Sequence, residues 1–260
     1  MADFLPAGGF RRFHISSGWE PVETHVPAER AVALSVNGQE WLSFTCTPND
    51  LDALAAGFLF NEGVIAGRDE LAAVDVCRQG TLVDVWLNRT VERPDQWRRT
   101  SGCSGGQTSV SAQPAGAGPS AAGWEKLPVH PLAVVRGMEQ LLEAQELYRE
   151  SGGIHCSALS DGERLLLRAE DIGRHNTLDK LAGRMLLDGL QTRPLIVLTT
   201  GRISSEMLQK SARMGAGVVA SRTSPTSQSV QMASELGIVL AGYTRRTGFI
   251  VYTHAERLSG

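Results

Sequence analysis

The sequence predicts an α/β protein: a sandwich on a mostly parallel sheet, preceded by a smaller unit that contains strands. Three observations carry this. Residues 131–253 alternate amphipathic runs of helical length with short apolar runs, the pattern of strands and helices in turn. Residues 31–87 instead hold two strand pairs around one helix. Between them, Gln107–Gly123 is dominated by Gly, Pro, Ser, Ala and Gln, a composition with too little apolar surface to bury. The boundary is expected near residue 125, giving units 1–125 and 126–260.

Each element has a local cause. Residues 1–28, rich in Gly and Pro, read as irregular. Ala31–Val36 and Glu40–Cys46 flank Asn37-Gly38, a strong hairpin signal. Thr47-Pro48-Asn49-Asp50 supplies an N-cap, a proline at the first helical position and an early acid. A helix is expected from Pro48 to Asn61, burying Leu51, Leu54, Ala55, Phe58 and Leu59, with Gly63 ending it. Ala73–Cys77 and Thr81–Leu87 form a second pair, turning at Gln79-Gly80. From Asn88 to Gly123 the periodicity dissolves.

Pro131–Arg149 reads as one helix with Leu132, Val135, Met138, Leu141 and Leu142 inward. Cys156–Ser160 and Arg164–Arg168 form a hairpin around Asp161-Gly162. Helices follow at His175–Leu187, Ser204–Met214 and Thr226–Leu236, separated by strands at Leu195–Thr199 and Gly217–Ser221. Ile238–Ala241 and Phe249–Thr253 finish the chain as strands.

Composition excludes several classes. The 25 Lys and Arg stand against 28 Asp and Glu, a net charge of −3. No global basic field recruits nucleic acid, so an anionic ligand must be held by local arginines. No apolar run is long enough to span a bilayer, and residues 1–13 lack the apolar core of a signal peptide. Cys46, Cys77, Cys103 and Cys156 are far apart with no CxxC pair. That argues against a zinc knuckle or disulfide framework and fits a reducing compartment. The expectation is a cytoplasmic protein with no membrane or nucleic-acid partner and no metal of its own.

The stretch Arg98-Arg99-Thr100-Ser101-Gly102-Cys103-Ser104-Gly105-Gly106 places a thiol among small residues. A packing cysteine has bulky apolar neighbours. Here glycines let a backbone approach a reactant closely, and nearby arginines favour thiolate. The stretch reads either as a mobile loop carrying a reactive sulfur or as a polar linker that holds a cysteine.

Glu170-Asp171-Ile172-Gly173-Arg174-His175-Asn176 follows a strand and opens a helix, where α/β sheets commonly bind ligands. Arg174 and His175 can donate to an anion near the positive end of the helix dipole; the plainer reading is a capped helix with a salt-bridged face. Gly152-Gly153-Ile154-His155-Cys156 enters a strand, with His155 either a ligand contact or base, or a satisfied core histidine. Thr199–Glu206, with Arg202, and Ser221–Ser227, with Arg222, repeat the strand-to-helix turn, though without Walker spacing. Thr244-Arg245-Arg246-Thr247-Gly248-Phe249 joins the last two strands. Its arginine pair suits a diphosphate or a solvated hairpin tip. Together these turns suggest a pocket for a phosphorylated, oxygen-rich ligand along one sheet edge.

These motifs, with Gly57-Phe58-Leu59-Phe60-Asn61-Glu62-Gly63, Ser101-Gly102-Cys103, Asp179-Lys180, Gly201-Arg202 with Glu206 and Lys210, and Ser224-Pro225-Thr226, occur in the order seen in a known family. From about Val32 to His254 the chain resembles the FdhD sulfur carriers needed for formate dehydrogenase activity. The resemblance implies a cytidine-deaminase-like α-β-α sandwich after a smaller β-containing domain, and a homodimer. It implies that a cysteine desulfurase supplies sulfur, held as a persulfide on Cys103, acting as a sulfurtransferase. The sulfur then passes to a molybdenum or tungsten bis(molybdopterin guanine dinucleotide) cofactor bound as a client, before its insertion into formate dehydrogenase. The family's cofactor-binding stretch aligns with Thr244, Arg245, Arg246, Thr247, Gly248 and Phe249. With it go Arg174, His175 and Arg202 of the turns above. Some relatives carry CxxC at the carrier loop; here Gly106 replaces the second cysteine, so one thiol acts alone or with Cys156. Other readings are a cofactor-binding chaperone that moves no sulfur, a cysteine hydrolase using Cys103 with His155 or His175, and a deaminase lacking its zinc signature.

Overall fold

The computed structural model describes residues 4–5, 9–94, 97–99, 107–109, 129–190 and 195–259. The N-terminal segment is more regular than its composition suggests. Strand β1 (Phe4–Leu5), hairpin β2 (Arg11–His14) and β3 (Gly18–Pro21), and β4 (Val26–Pro27) precede the first core element. β1 pairs with β4 and β2 with β3.

β5 (Arg30–Val36) and β6 (Gln39–Cys46) form the hairpin expected from Asn37-Gly38. Both turn residues have positive φ, 50° and 79°, as a two-residue turn between twisted strands requires. Helix α1 (Leu51–Asn61) follows, then β7 (Leu71–Cys77) and β8 (Leu82–Leu87). These four strands make a sheet in the order β6-β5-β8-β7. α1 starts later than Pro48 because Thr47 does not cap it. Thr47 is buried and faces Asp171 and Ile172 instead, its N–H donating to Asp171 Oδ2 at 3.1 Å and its Oγ1 accepting from Ile172. Two short strands, β9 (Trp97–Arg99) and β10 (Gln107–Ser109), pair antiparallel where the sequence shows no periodicity. Residues 100–106, with Cys103, and 110–128, with the expected boundary near 125, lie outside the described residues.

The run expected as one helix is two: α2 (Pro131–Glu143) and α3 (Glu146–Ser151). Side chains from another strand make the break. Arg168 donates to the Ala144 carbonyl at the end of α2. The Glu170 carboxylate accepts the N–H groups of Glu146, Leu147 and Tyr148 at 3.0–3.1 Å, satisfying the donors that open α3. The buried face of α2 is also rotated from the expected one. Val134, Gly137, Met138 and Leu141 are buried, whereas Leu132 is 49% exposed. The close approach is at Gly137, where a Cβ would lie 2.8 Å from Leu198 Cδ1.

The second sheet has six strands: β11 (His155–Ser160), β12 (Leu165–Asp171), β13 (Ile196–Thr199), β14 (Val218–Ser221), β15 (Val239–Arg245) and β16 (Gly248–Thr253). Their order is β12-β11-β13-β14-β15-β16. Only β13/β14 and β14/β15 pair parallel; β11/β12, β11/β13 and β15/β16 are antiparallel. The expected mostly parallel sheet is thus mixed, because hairpins at both ends add antiparallel strands to a parallel centre. Helices α4 (Arg174–Leu187), α5 (Ser205–Arg213) and α6 (Ser227–Leu236) complete the chain. α2 packs on one face of the sheet. α4, α5 and α6 lie together on the other, where α4 also meets α1. The fold is mixed α/β: a four-stranded and a six-stranded sheet with the α1–α4 helix pair between them, and three two-stranded sheets beside them among the described residues.

That helix pair is unusually close. A Cβ on Gly57 of α1 would lie 1.8 Å from the Asp179 carbonyl oxygen, and one on Gly183 of α4 would lie 1.8 Å from the Ala53 carbonyl oxygen. Backbone meets backbone at both points, so no side-chain movement could make room. α1 is accordingly buried on almost every side. Gly57→Ala is expected to lower the unfolding free energy by about 3 kcal/mol or more, measured by urea denaturation; a loss under 1 kcal/mol contradicts this close crossing.

Candidate functional site

The parallel strands β13, β14 and β15 end on one edge of the sheet, and the antiparallel β11 begins there. The turns that follow are stitched together. Arg222 N–H donates to the Thr199 carbonyl at 3.0 Å, and Ser221 Oγ to the Gly201 carbonyl at 2.6 Å. Tyr243 N–H donates to the Thr223 carbonyl at 2.9 Å. One edge therefore presents His155, the Thr200–Ser204 turn, the Arg222–Thr226 turn and the β15–β16 hairpin as a continuous rim.

Two hollows open on this rim. The first, about 510 Å³, has Arg222, Arg245, Arg246 and Thr247 on one side and Met138, Glu139, Leu142 and Glu143 of α2 on the other. The second, about 470 Å³, includes His155, Thr200, Gly152, Gly153, Gln145 and Tyr148. Leu142 and Arg222 belong to both, so the hollows are neighbours along one groove. Arg245 donates to the carbonyls of Arg222 and Thr244, which ties its guanidinium to the rim. Arg246 projects into solvent and pairs with Glu139, Nε to Oε1 at 2.7 Å. Two guanidinium groups beside a glycine turn can hold a diphosphate.

The expected site residues thus separate. Arg245, Arg246 and Thr247 line the first hollow. Thr244 is fully buried beneath them, and its Oγ1 makes no hydrogen bond among the described residues. Gly248 closes the hairpin turn with φ 144°, and Phe249 packs on the core. Arg202 is exposed on the neighbouring turn and lines neither hollow. Arg174 and His175 are buried and line neither hollow. Arg174 runs past Gly201, where a Cβ would meet its stem at 2.9 Å. His175 Nε2 lies 3.1 Å from Glu206 Oε2 and 3.5 Å from Ser204 Oγ.

The rest of that polar run holds the protein together. Consecutive strand residues face opposite sides of a sheet, and Glu170 and Asp171 use both. Glu170 reaches α3 on one face. Asp171, on the other, pairs with Lys180 Nζ at 2.7 Å and accepts from Gly173 and Asn176. Lys180 also donates to the Thr47 carbonyl and Asn49 Oδ1. Asp179 likewise joins Lys210 of α5, at 2.6 Å, to Asn61 of α1. Every charge here is buried and paired, as burial demands.

Sequence reasoning missed the α2 wall of the groove. Its signal was present in Glu139 and Glu143, four residues apart and hence on one helical face, but unassigned because α2 was read only for its core. Cys156 and Cys46 are both buried, and burial pushes each thiol up to about 12, so neither is thiolate at neutral pH. Cys103 lies outside the described residues.

In this mixed α/β protein an arginine-lined groove crosses the ends of the central parallel strands, the place where open α/β sheets bind their ligands. The chain's affiliation is narrower than its fold class. The model of the FdhD/NarQ family matches residues 27–259, and the chain belongs to that family. It is 36% identical over 241 residues to the sulfur carrier protein FdhD of Bacillus subtilis, covering 91% of each chain. It is 35% identical over 233 residues to the Staphylococcus aureus protein of the same name, covering 88% of each. Among solved structures, it resembles a candidate formate dehydrogenase accessory protein from Desulfotalea psychrophila, with a TM-score of 0.76 and 27% identity. That match covers 96% of this chain and 98% of the other.

Two histidines, His155 at the rim and His175 buried behind it, carry a pH signature. Burial holds both His155 and His175 below the usual imidazole value of 6.5. At His155 the Arg174 charge adds to this; at His175 the Glu206 hydrogen bond opposes it and is outweighed. The unfolded chain then binds more protons than the folded one near pH 6. Their contribution is present above pH 6.5 and lost as pH falls through the depressed folded values. Unfolding free energy measured by denaturant titration is expected to fall between about pH 7 and pH 5, less steeply in His175→Gln; an equal slope in that variant contradicts the assignment.

Proposed function

We propose that this chain is a sulfur carrier that serves formate dehydrogenase, loading sulfur onto a guanine-dinucleotide metal cofactor before that cofactor enters the enzyme. Family membership supports the reading, and the arginine-lined groove is the single structural observation that carries it. A dinucleotide cofactor is rich in phosphate, and Arg222, Arg245 and Arg246 line one hollow where guanidinium groups can bind it. The cofactor is cargo, with molybdenum or tungsten as its metal. The second half of the chain is read as a cytidine-deaminase-like sandwich, and the protein as a cytoplasmic homodimer of two-unit chains.

In this reading the Cys103 thiolate attacks the terminal sulfur of a cysteine desulfurase persulfide. A new S–S bond forms on Cys103, and the desulfurase leaves as its thiolate. Passing the sulfur onward breaks the Cys103 S–S bond and returns the Cys103 thiolate. Delivery as sulfide consumes two electrons, supplied by a thiol reductant or by the reduced metal of the cargo. A single loop thiol suffices, since no step needs an internal disulfide. The replacement of the second loop cysteine by Gly106 favours one rival, a chaperone that binds the cofactor without moving sulfur.

Incubating the full chain with a cysteine desulfurase and cysteine separates these. Mass spectrometry is expected to show one added sulfur atom on Cys103, absent in Cys103→Ala. That variant is expected to keep the native melting temperature and to lose formate dehydrogenase activation in cells without their own carrier. Activation by Cys103→Ala at the native level overturns the sulfur-carrier reading.

A further inference from the structure

A third hollow, about 770 Å³, is larger than either chamber of the groove. It opens at the opposite end of the parallel strands, where Leu195 precedes β13 and Gly215 precedes β14. Helices α1, α4 and α5 all finish there, and Phe60, Leu186 and Arg213 from their last turns stand in its wall.

Two arginines line it with their charges unanswered. Arg213 donates Nε to the Phe60 carbonyl and Nη2 to the Ile65 carbonyl, with its guanidinium over the Phe60 ring. Arg68 donates Nε to the Leu187 carbonyl at 3.2 Å. These bonds cap the ends of α1 and α4, but they use only part of each guanidinium, which carries five N–H donors. The remaining donors make no hydrogen bond among the described residues, and neither arginine has an ion-pair partner there. Neighbouring cations differ. Lys210 pairs with Asp179 at 2.6 Å, Arg184 with Asp50 at 2.9 Å, and Arg89 with Glu70. Burial holds the Arg213 guanidinium below its ordinary value, and the charge of Glu62 offsets this only in part. A half-buried cation of this kind is completed by a carboxylate from outside.

The lining also sets the kind of partner. Phe60, Met185 and Met214 lie beside the two arginines. Aromatic, Met and Arg side chains are those enriched at the centres of protein interfaces. Asp69 is the one acid in the wall, so the balance of charge selects an acidic protein segment. The position selects which protein. Asn88, directly after β8, donates its side chain to the Asp69 carbonyl at 2.6 Å and its N–H to the Glu70 carbonyl at 2.9 Å. The chain that runs on to Cys103 therefore departs from the rim of this hollow. A protein seated here stands beside that stem and leaves the groove, at the far end of the strands, open to cargo. We infer that this hollow is the docking seat of the sulfur donor, receiving an acidic segment of the cysteine desulfurase with an apolar anchor beside its carboxylate. This deepens the proposed function and rests on its assignment of a sulfur donor.

The test loads Cys103 of the full chain in two ways, with a cysteine desulfurase plus cysteine or with glutathione persulfide, and reads the added sulfur by mass spectrometry. Arg68 is exposed, so Arg68→Glu is expected to keep the native melting temperature. It is expected to raise the desulfurase concentration for half-maximal loading rate about tenfold, with the rate at saturation unchanged. Its loading by glutathione persulfide is expected to equal that of the native chain. Asp69→Asn, which removes the opposing charge, is expected to lower the half-maximal desulfurase concentration about threefold; a merely structural role would not produce that gain. Equal loading of native and Arg68→Glu chains at every desulfurase concentration overturns the docking seat and leaves the sulfur-carrier reading standing. So does a loss that appears equally with glutathione persulfide, which would place Arg68 in the handling of the Cys103 thiol. A native chain that gains sulfur from neither donor overturns the sulfur-carrier reading, and the docking seat with it.

Discussion

The contact between α1 and α4 governs the rest of the molecule. Two glycines, one on each helix, allow backbone to press on backbone, and no other residue fits at either point. The approach brings the N-terminal sheet, carried on α1, against the helices that cover the second sheet. It also brings Thr47, Asn49, Asn61 and Glu62 within reach of Lys180, Asp179 and Lys210. Buried ion pairs of this kind return little net stability. What they impose is register, because a shift of one helix along the other would strand a charge away from water.

The groove depends on that register at one remove. α4 begins where β12 ends, and the dipeptide Glu170-Asp171 at this junction holds one element on each face of the sheet. Glu170 starts α3 and so determines where α2 must stop. Asp171 fixes α4 through Lys180. The wall of the groove built by α2 and the rim built by the turns are therefore set by neighbouring residues of a single strand.

Much of this was legible. Asn37-Gly38 and Asp161-Gly162 announced their hairpins because those turns need residues that tolerate positive φ or bond their own backbone. The helices after β12, β13 and β14 were legible from periodicity and caps, Thr226 among them. The arginine pair at Arg245-Arg246 was legible as part of the hairpin joining the last two strands, and it lies there, where β15 passes into β16. Less legible was anything decided by distant side chains. The break at Ala144 comes from Arg168 and Glu170, more than twenty residues away. The antiparallel flanks of the sheet were hidden because a buried apolar strand looks alike in either direction. Arg174 and His175 looked like ligand donors by type and position; their burial comes from packing against the Gly201 and Glu206 turns, which local sequence does not reveal.

The shared boundary of the two hollows has a consequence for what can fill them. Leu142 and Arg222 stand between the chambers as a common partition. A short molecule occupies one chamber and leaves the other to solvent, whereas a long one must thread past the partition and satisfy both ends together. Such a cleft has the shape of a ruler: only a molecule long enough to pass the partition can touch both chambers at once.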